Sequence, residues 1–278
     1  GEIADMSFRL LRDRIHVKNV TYFGMVNDKV GYIALTGFTK DASREVQLAI
    51  LQLKEEKPDL GGLILDLRGN PGGRLDEAVK VANIFVEQKE VIVETRGRQE
   101  NSRRLHIAQR LPAELDLPLA ILVNGRSASA SEIVAGAIQD LDRGIIVGQQ
   151  SFGKGLVQNI RPLSYNTQLK VSTAKYYTPS GRCIQALDYG NKDSQGKAIR
   201  VADSAKNAFL TANGRTVYDG GGIAPDIPVK LPITYTIIQE LQDQGLIFDF
   251  ATNFVAQNSQ ITYPRDFQVT ETIYQEFL

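Results

Sequence analysis

The chain has no tryptophan, one cysteine, two histidines and two methionines among 278 residues, and its 32 Lys and Arg balance its 32 Asp and Glu. Each scarcity excludes something. A single cysteine, Cys183, makes no intrachain disulfide and no cysteine-based metal site, and its apolar-leaning surroundings suit packing better than reactivity. His16 and His106 lie far apart in sequence, neither with a metal-ligand neighbour at useful spacing, so a histidine-based triad has little to draw on. The balanced charge gives no electrostatic case for nucleic acid or an anionic membrane. One local exception, the run holding Arg96, Arg98, Arg103, Arg104, His106 and Arg110, reads as a solvated loop or hairpin. No stretch is long and apolar enough to span a bilayer, and there is no signal-peptide pattern. What remains is an ordinary globular composition, 42% hydrophobic and 23% charged, with enough chain for one or two domains.

Hydrophobic periodicity organises that chain. Residues 6–22 alternate as strands and Val30–Leu35 follows after a turn at Asn27-Asp28. Asp41 reads as the N-cap of a helix carrying Ala42, Val46, Ala49, Ile50 and Leu53. Leu60–Leu67 is a buried strand broken by Gly69-Asn70-Pro71-Gly72-Gly73, and a helix with Leu75, Val79, Ala82 and Phe85 comes next. Pro118–Val123 is another buried strand, running through Asn124-Gly125 into a serine cluster and a third helix. Strands are expected near 90–94, 144–148, 155–160 and 169–177, a polar surface excursion over 188–205, and a helical tail from about Thr234. Alternating strand and helix through 30–150 predicts an α/β core with a mostly parallel sheet. The expected division is a core over 1–230, including an N-terminal β segment, and a helical segment over 231–278.

Two motifs could carry chemistry. Ser127-Ala128-Ser129-Ala130-Ser131-Glu132 sits at the mouth of a predicted helix, where free N–H groups and the helix dipole favour developing negative charge. A serine needs a base to become a nucleophile, and Lys154, in Phe152-Gly153-Lys154-Gly155, could be one if burial keeps its amine neutral. Gln158, four residues on, shares a strand face with Lys154 and could orient it if the chain bends at Gly155. The Gly72-Gly73 pair could add an oxyanion donor or serve as a tight turn. The serines could equally be cap and turn residues, and Lys154 an ordinary surface lysine. A rival reading is phosphate binding, because Gly148 to Gly155 nearly matches G-x-x-x-x-G-K-[ST]. However, Gly155 replaces the hydroxyl residue, and a strand rather than a helix is expected next.

Six segments in order resemble the C-terminal processing (tail-specific) serine peptidases. They are Val30-Gly31-Tyr32-Ile33 with Phe38, Leu65 to Gly73, Ser127 to Ile133, Gly148 to Gln158, Lys175 to Arg182 and Val217 to Asp226. The resemblance implies a ClpP/crotonase-like α/β core with flanking β elements and a C-terminal helical segment. It implies Ser129 as nucleophile, Lys154 as base, Gln158 as its support, and an oxyanion hole from Ala130 with Gly72 or Gly73. It implies protein or peptide substrates cut near their C-termini, no cofactor, metal, nucleotide or nucleic acid, room for a homo-oligomer, and a periplasmic or otherwise extracytoplasmic location. Such peptidases usually carry a PDZ domain ahead of the strand expected near Met6, so this chain is expected to be the protease core of a longer protein, truncated within its last helix. The competing class is a non-catalytic module that holds extended polypeptide ends.

Overall fold

The computed structural model describes residues 8–13, 15, 17–230, 235–258, 261, 263 and 266–278. The chain divides into two compact units, Gly1–Val229 and Lys230–Leu278. The first runs in order β1 (Val20–Met25), β2 (Val30–Leu35), α1 (Ala42–Glu56), β3 (Gly62–Asp66), α2 (Leu75–Asn83), β4 (Val91–Gly97), β5 (Arg104–Ile107), β6 (Leu119–Val123), α3 (Ala130–Asp140) and β7 (Ile145–Gly148). It continues with β8 (Leu156–Pro162), β9 (Gln168–Tyr177), β10 (Leu187–Lys192), β11 (Ala198–Arg200), β12 (Ala208–Leu210), β13 (Thr216–Tyr218) and β14 (Ile227–Pro228).

The main sheet has six strands in the order β1-β2-β3-β6-β7-β14. All its pairings are parallel except β1 with β2. Its central strands read as near-continuous apolar runs, and Leu63, Leu65, Ile121 and Val123 are buried, as strands covered by helices require. α1 buries Ala42, Val46, Ala49, Ile50 and Leu53, a stripe at helical spacing. α3 is buried along its whole length, which suits its run of small and apolar residues. A second, antiparallel sheet has the order β5-β4-β9-β8, and the arginine-rich run forms its β4–β5 hairpin. There Glu94 accepts hydrogen bonds from Arg96 (2.6 and 2.9 Å) and Arg103 (3.1 Å).

One expectation is corrected and two are refined. The described residues of 8–19 form no strand, and β1 begins only at Val20. Phe8, Leu10, Leu11, Ile15 and Val17 alternate in hydropathy but are exposed with no paired strand, and alternation alone cannot supply one. Asp41 does precede α1, but at φ 71° its side chain makes no cap bond, and its carbonyl instead accepts the Glu45 N–H at 3.0 Å. The polar stretch after 187 contains the β10–β11 hairpin, whose turn is held by Asp193 Oδ1 accepting the N–H groups of Gln195 and Lys197 at 2.9 Å. With both faces solvated, such a hairpin leaves no hydrophobic period to read.

The second unit holds α4 (Thr236–Asp243), α5 (Leu246–Gln257) and α6 (Glu271–Phe277). Ring contacts join Phe250 to Phe254 and Phe277, and Phe254 to Phe267. No helix among the described residues is long and apolar enough to cross a membrane.

Candidate active site

The carboxyl ends of β3, β6 and β7 open into three loops: residues 67–74, residues 124–129 and residues 149–155. In open parallel sheets this edge is where ligand crevices form. The serine cluster leaves β6 and enters α3. Its hydroxyls have different fates. Ser127 Oγ donates to the Leu67 carbonyl at 2.7 Å and accepts from the Asn124 N–H at 3.0 Å. Ser131 Oγ donates to the Asn70 carbonyl at 2.9 Å. Both are buried fastenings between the β6 and β3 loops. Ser129 differs from both. It caps α3 at φ 58° and ψ −110°, outside the favoured regions for an L-residue. Such a conformation costs about 1–3 kcal/mol and is held only by its surroundings.

The glycine loop supplies part of those surroundings. Asn70 is fully buried. Its Nδ2 donates to the Leu35 carbonyl at 2.7 Å, its Oδ1 accepts the Gly72 N–H at 2.9 Å, and its carbonyl accepts the Ala128 N–H at 3.0 Å. Gly72, at φ 98°, packs so closely on the serine turn that a Cβ there would lie 2.6 Å from Ala128 O, 2.8 Å from Ala130 N and 2.9 Å from Ser129 Cβ. The Gly72 N–H is thus committed to Asn70. Among the described residues, no hydrogen bond engages the Gly73 N–H or the Ala130 N–H, the first of α3.

The lysine loop meets the serine turn at one buried carboxylate. Glu132, fully buried in the first turn of α3, accepts four hydrogen bonds. Its Oε1 takes Ser151 Oγ at 2.6 Å and the Gly153 N–H at 2.7 Å, and its Oε2 takes the Ser129 N–H at 2.8 Å and the Lys154 N–H at 2.9 Å. Burial pushes the carboxyl above the ordinary glutamate value, and the four donors pull against that push. One oxygen therefore holds the main chains of Ser129 and Lys154 side by side. Phe152 adds a tie, its N–H donating to the Ser127 carbonyl at 3.0 Å.

The Lys154 side chain is half-buried, and its amine makes no hydrogen bond or ion pair with any described residue. Gln158 lies opposite Ser172 in the β8–β9 ladder, with an exposed side chain that lines a cavity of about 680 Å³ with Leu156, Lys175, Cys183 and Gln185. It makes no hydrogen bond to Lys154. The segment after Gly155 is a strand, as the sequence predicts, so the glycine–lysine run does not lead into a helix as a phosphate loop would. No group of three or more His, Cys, Asp or Glu able to hold a metal occurs among the described residues. Tyr176, buried on β9, is a neighbour that sequence reasoning missed. Burial pushes its hydroxyl up, and a hydrogen bond with the Ser129 side chain works the other way. Asn70, Glu132 and Ser151 were also missed as working residues. Asn70 and Glu132 sit inside motifs already singled out, and their buried polar side chains beside small residues were the available signal.

The model of peptidase family S41 matches residues 29–190, and one described as "Probable PDZ-protease, C-terminal helical domain" matches residues 237–278. The chain is 46% identical over 184 residues to the carboxy-terminal-processing protease of Bartonella bacilliformis, covering 66% of this chain and 42% of that one. It is 39% identical over 180 residues to a "Probable CtpA-like serine protease" of Staphylococcus epidermidis, covering 65% of this chain and 36% of that one. The chain thus spans less than half the length of these relatives. Among solved structures it resembles the photosystem II D1 C-terminal processing protease, with a TM-score of 0.57 and 27% identity over 79% of this chain and 50% of that one. The α/β architecture is shared with that protein. The family match takes in the glycine loop, the serine turn and the lysine loop together, and the chain belongs to peptidase family S41.

Proposed function

We propose that this chain is the catalytic core of a serine endopeptidase in which Ser129 and Lys154 form the dyad and proteins are cut near their C-termini. The carrying observation is the division of labour among the serines. Ser127 and Ser131 spend their hydroxyls on main-chain carbonyls, whereas Ser129 sits on a strained turn beside the unpaired Ala130 N–H. Lys154 is tied by its main chain to the same carboxylate oxygen as Ser129.

The Lys154 amine takes the Ser129 Oγ proton as Oγ attacks the peptide carbonyl. The oxyanion that forms is met by the Ala130 N–H and the Gly73 N–H. Gly73 is the better candidate of the pair because the Gly72 N–H already donates to Asn70. The Lys154 ammonium then protonates the departing amine. Water, with Lys154 again as base, releases the acyl group from Ser129. Gln158 supports Lys154 if β8 bends toward it when substrate binds. Extended or unfolded chains are the expected substrates, because a peptide must reach a nucleophile only 8% exposed. The Bartonella relative is a carboxy-terminal-processing protease, which supports cleavage near C-termini. An extracytoplasmic location belongs to the same proposal and is checked by fractionating the source cells.

The test is intact-mass spectrometry on an unfolded model protein incubated with the native chain and with Ser129→Ala. Fragments from the native chain alone, beginning near the substrate's C-terminus, are expected. Equal cleavage by both overturns the assignment of Ser129. Binding of extended peptides without any cleavage, by the full-length protein as well, favours the non-catalytic module.

A further inference from the structure

Glu132 has no place in the chemistry described so far, yet it is the most heavily bonded buried group near the site. A carboxylate accepting four hydrogen bonds has no side-chain donor of its own, and here three of the donors are main-chain N–H groups. The fourth, Ser151 Oγ, itself accepts the Ile223 N–H at 2.7 Å, which leaves its proton for Glu132. The Ser151 N–H returns a bond to the Ile223 carbonyl at 3.0 Å. Gly222, at φ 78°, brings the main chain so close that a Cβ there would lie 2.6 Å from Ser151 Oγ and 2.9 Å from Gly153 N. A continuous buried path therefore runs from the nucleophile's own N–H through Glu132 to the lysine loop and on to the 220–223 loop.

We infer that Glu132, with Ser151 behind it, is the positioning residue that sets Lys154 against Ser129 and holds Ser129 in its strained turn. The inference rests on the Ser129–Lys154 reading. Two features go beyond ordinary capping of α3. First, a cap needs only the helix's own N–H groups, whereas Glu132 also spends bonds on Gly153 and Lys154, which belong to a loop 21 and 22 residues away. Second, the site is assembled from separate loops, and no hydrogen bond joins the side chains of Ser129 and Lys154. Their relative placement is therefore carried mainly by main-chain bonds to this group, with the Phe152 N–H to Ser127 carbonyl bond as a second tie.

The isosteric change Glu132→Gln is the sharpest probe. An amide offers one accepting oxygen and one donating nitrogen, so two of the four donors would face an NH2 group. Ser151→Ala is the milder companion, removing one donor and the Ile223 acceptor. The measurements on the full-length protein are kcat and KM for cleavage, the rate of Ser129 labelling by a fluorophosphonate, and Tm. The expectation for Glu132→Gln is a kcat loss of about 100-fold with KM within about threefold, and a matching fall in labelling rate well below its Tm. Ser151→Ala should lose about tenfold in the same pattern. Loss of stability without loss of kcat or labelling in the folded variants would make Glu132 a structural cap and overturn the inference. If Glu132→Gln does not fold, Ser151→Ala decides: native kcat and labelling rate in that variant overturn it. Ser129→Ala, run alongside, separates the two failures. Undiminished cleavage by Ser129→Ala sinks the dyad, whereas dead Ser129→Ala with unimpaired Glu132→Gln sinks only the role of Glu132.

Discussion

Replacing Gly72 by alanine tests whether the glycine loop is fitted to the serine turn. Two costs add. The first is backbone strain, because φ is 98° and an L-residue there costs about 1–2 kcal/mol. The second is contact, because the new Cβ would lie 2.6 Å from Ala128 O and 2.8 Å from Ala130 N, both main-chain atoms that cannot swing aside. Relieving such overpacking costs about 1–3 kcal/mol. A loss near 3 kcal/mol lowers Tm by about 6–12 °C in a chain of this size. Relief must push either Gly72 or the turn at 128–130, which moves the Ala130 N–H away from where an oxyanion would form. Loss of one such donor costs about 100- to 1,000-fold in kcat. Gly69 is the internal control, at φ 73° with nothing within 4 Å of its Cβ position. Gly69→Ala should carry the strain alone, about 1 kcal/mol and about 2–4 °C, with kcat within about twofold. Differential scanning calorimetry and steady-state cleavage measure both variants. Equal Tm and equal kcat for the two alanine variants would refute the claim that Gly72 is shaped by contact with the serine turn.

Further consequences can be checked with the same protein. Ser127→Ala should lose about 1–3 kcal/mol of stability, since the Leu67 carbonyl and Asn124 N–H both lose their partner, yet keep its cleavage rate below Tm. A cleavage loss as deep as that of Ser129→Ala would refute the division of labour among the serines. Arg182, 1% exposed, bonds Asp140 at 2.7 Å and Gln139 at 2.8 Å, and Arg182→Met should cost about 3–5 kcal/mol in urea unfolding by stranding Asp140. The double change Asp140→Leu with Arg182→Met should cost less than that, and a larger cost would count against the ion pair as the cause. Arg96 holds the Glu94 carboxyl below the ordinary glutamate value, against the desolvation of burial and with help from Arg103. A depressed carboxylate stabilises above its unfolded value of about 4.3 and loses that contribution as pH falls through the folded value. The Tm deficit of Glu94→Gln should therefore be present at about pH 7 and shrink below about pH 4, and a constant deficit would contradict the pairing.

Most of the α/β core was readable because its signals are local. The helical spacing of Ala42, Val46, Ala49, Ile50 and Leu53, and the apolar runs ending at Asp66 and Val123, recur as α1, β3 and β6. The misreadings have physical causes. Residues 8–19 alternate without a strand to pair with, and the β10–β11 hairpin pairs without an apolar face. At the site, residue types and spacing pointed to the serine cluster, Lys154 and the glycine pair, the family resemblance picked out Ser129 among the serines, and neither could choose between Gly72 and Gly73. What separates the two is loop conformation, with the Gly72 N–H donating to Asn70 two residues back. Tyr176 and Ser151 were invisible for a different reason. Each meets the site through contacts across 47 or 19 positions of sequence, from a segment with its own local explanation.

The distribution of buried polar groups follows from the topology. A parallel sheet delivers its loops to one edge, but its own ladder bonds stop at the strand ends, so nothing in the sheet fixes one loop against the next. Here the loops after β3, β6 and β7 meet around the Ser129 turn, and each junction is closed by hydrogen bonds between buried polar side chains and the main chain. The Asn70 carbonyl, accepting the Ala128 N–H and Ser131 Oγ, and Ser127 Oγ, donating to the Leu67 carbonyl, join the first loop to the second. Glu132 joins the second to the third, and Ser151 carries the chain of bonds to Ile223. Such groups are costly to bury unless every bond is made. They therefore favour a single loop arrangement, and that arrangement is what keeps Ser129 at an angle an isolated chain would abandon.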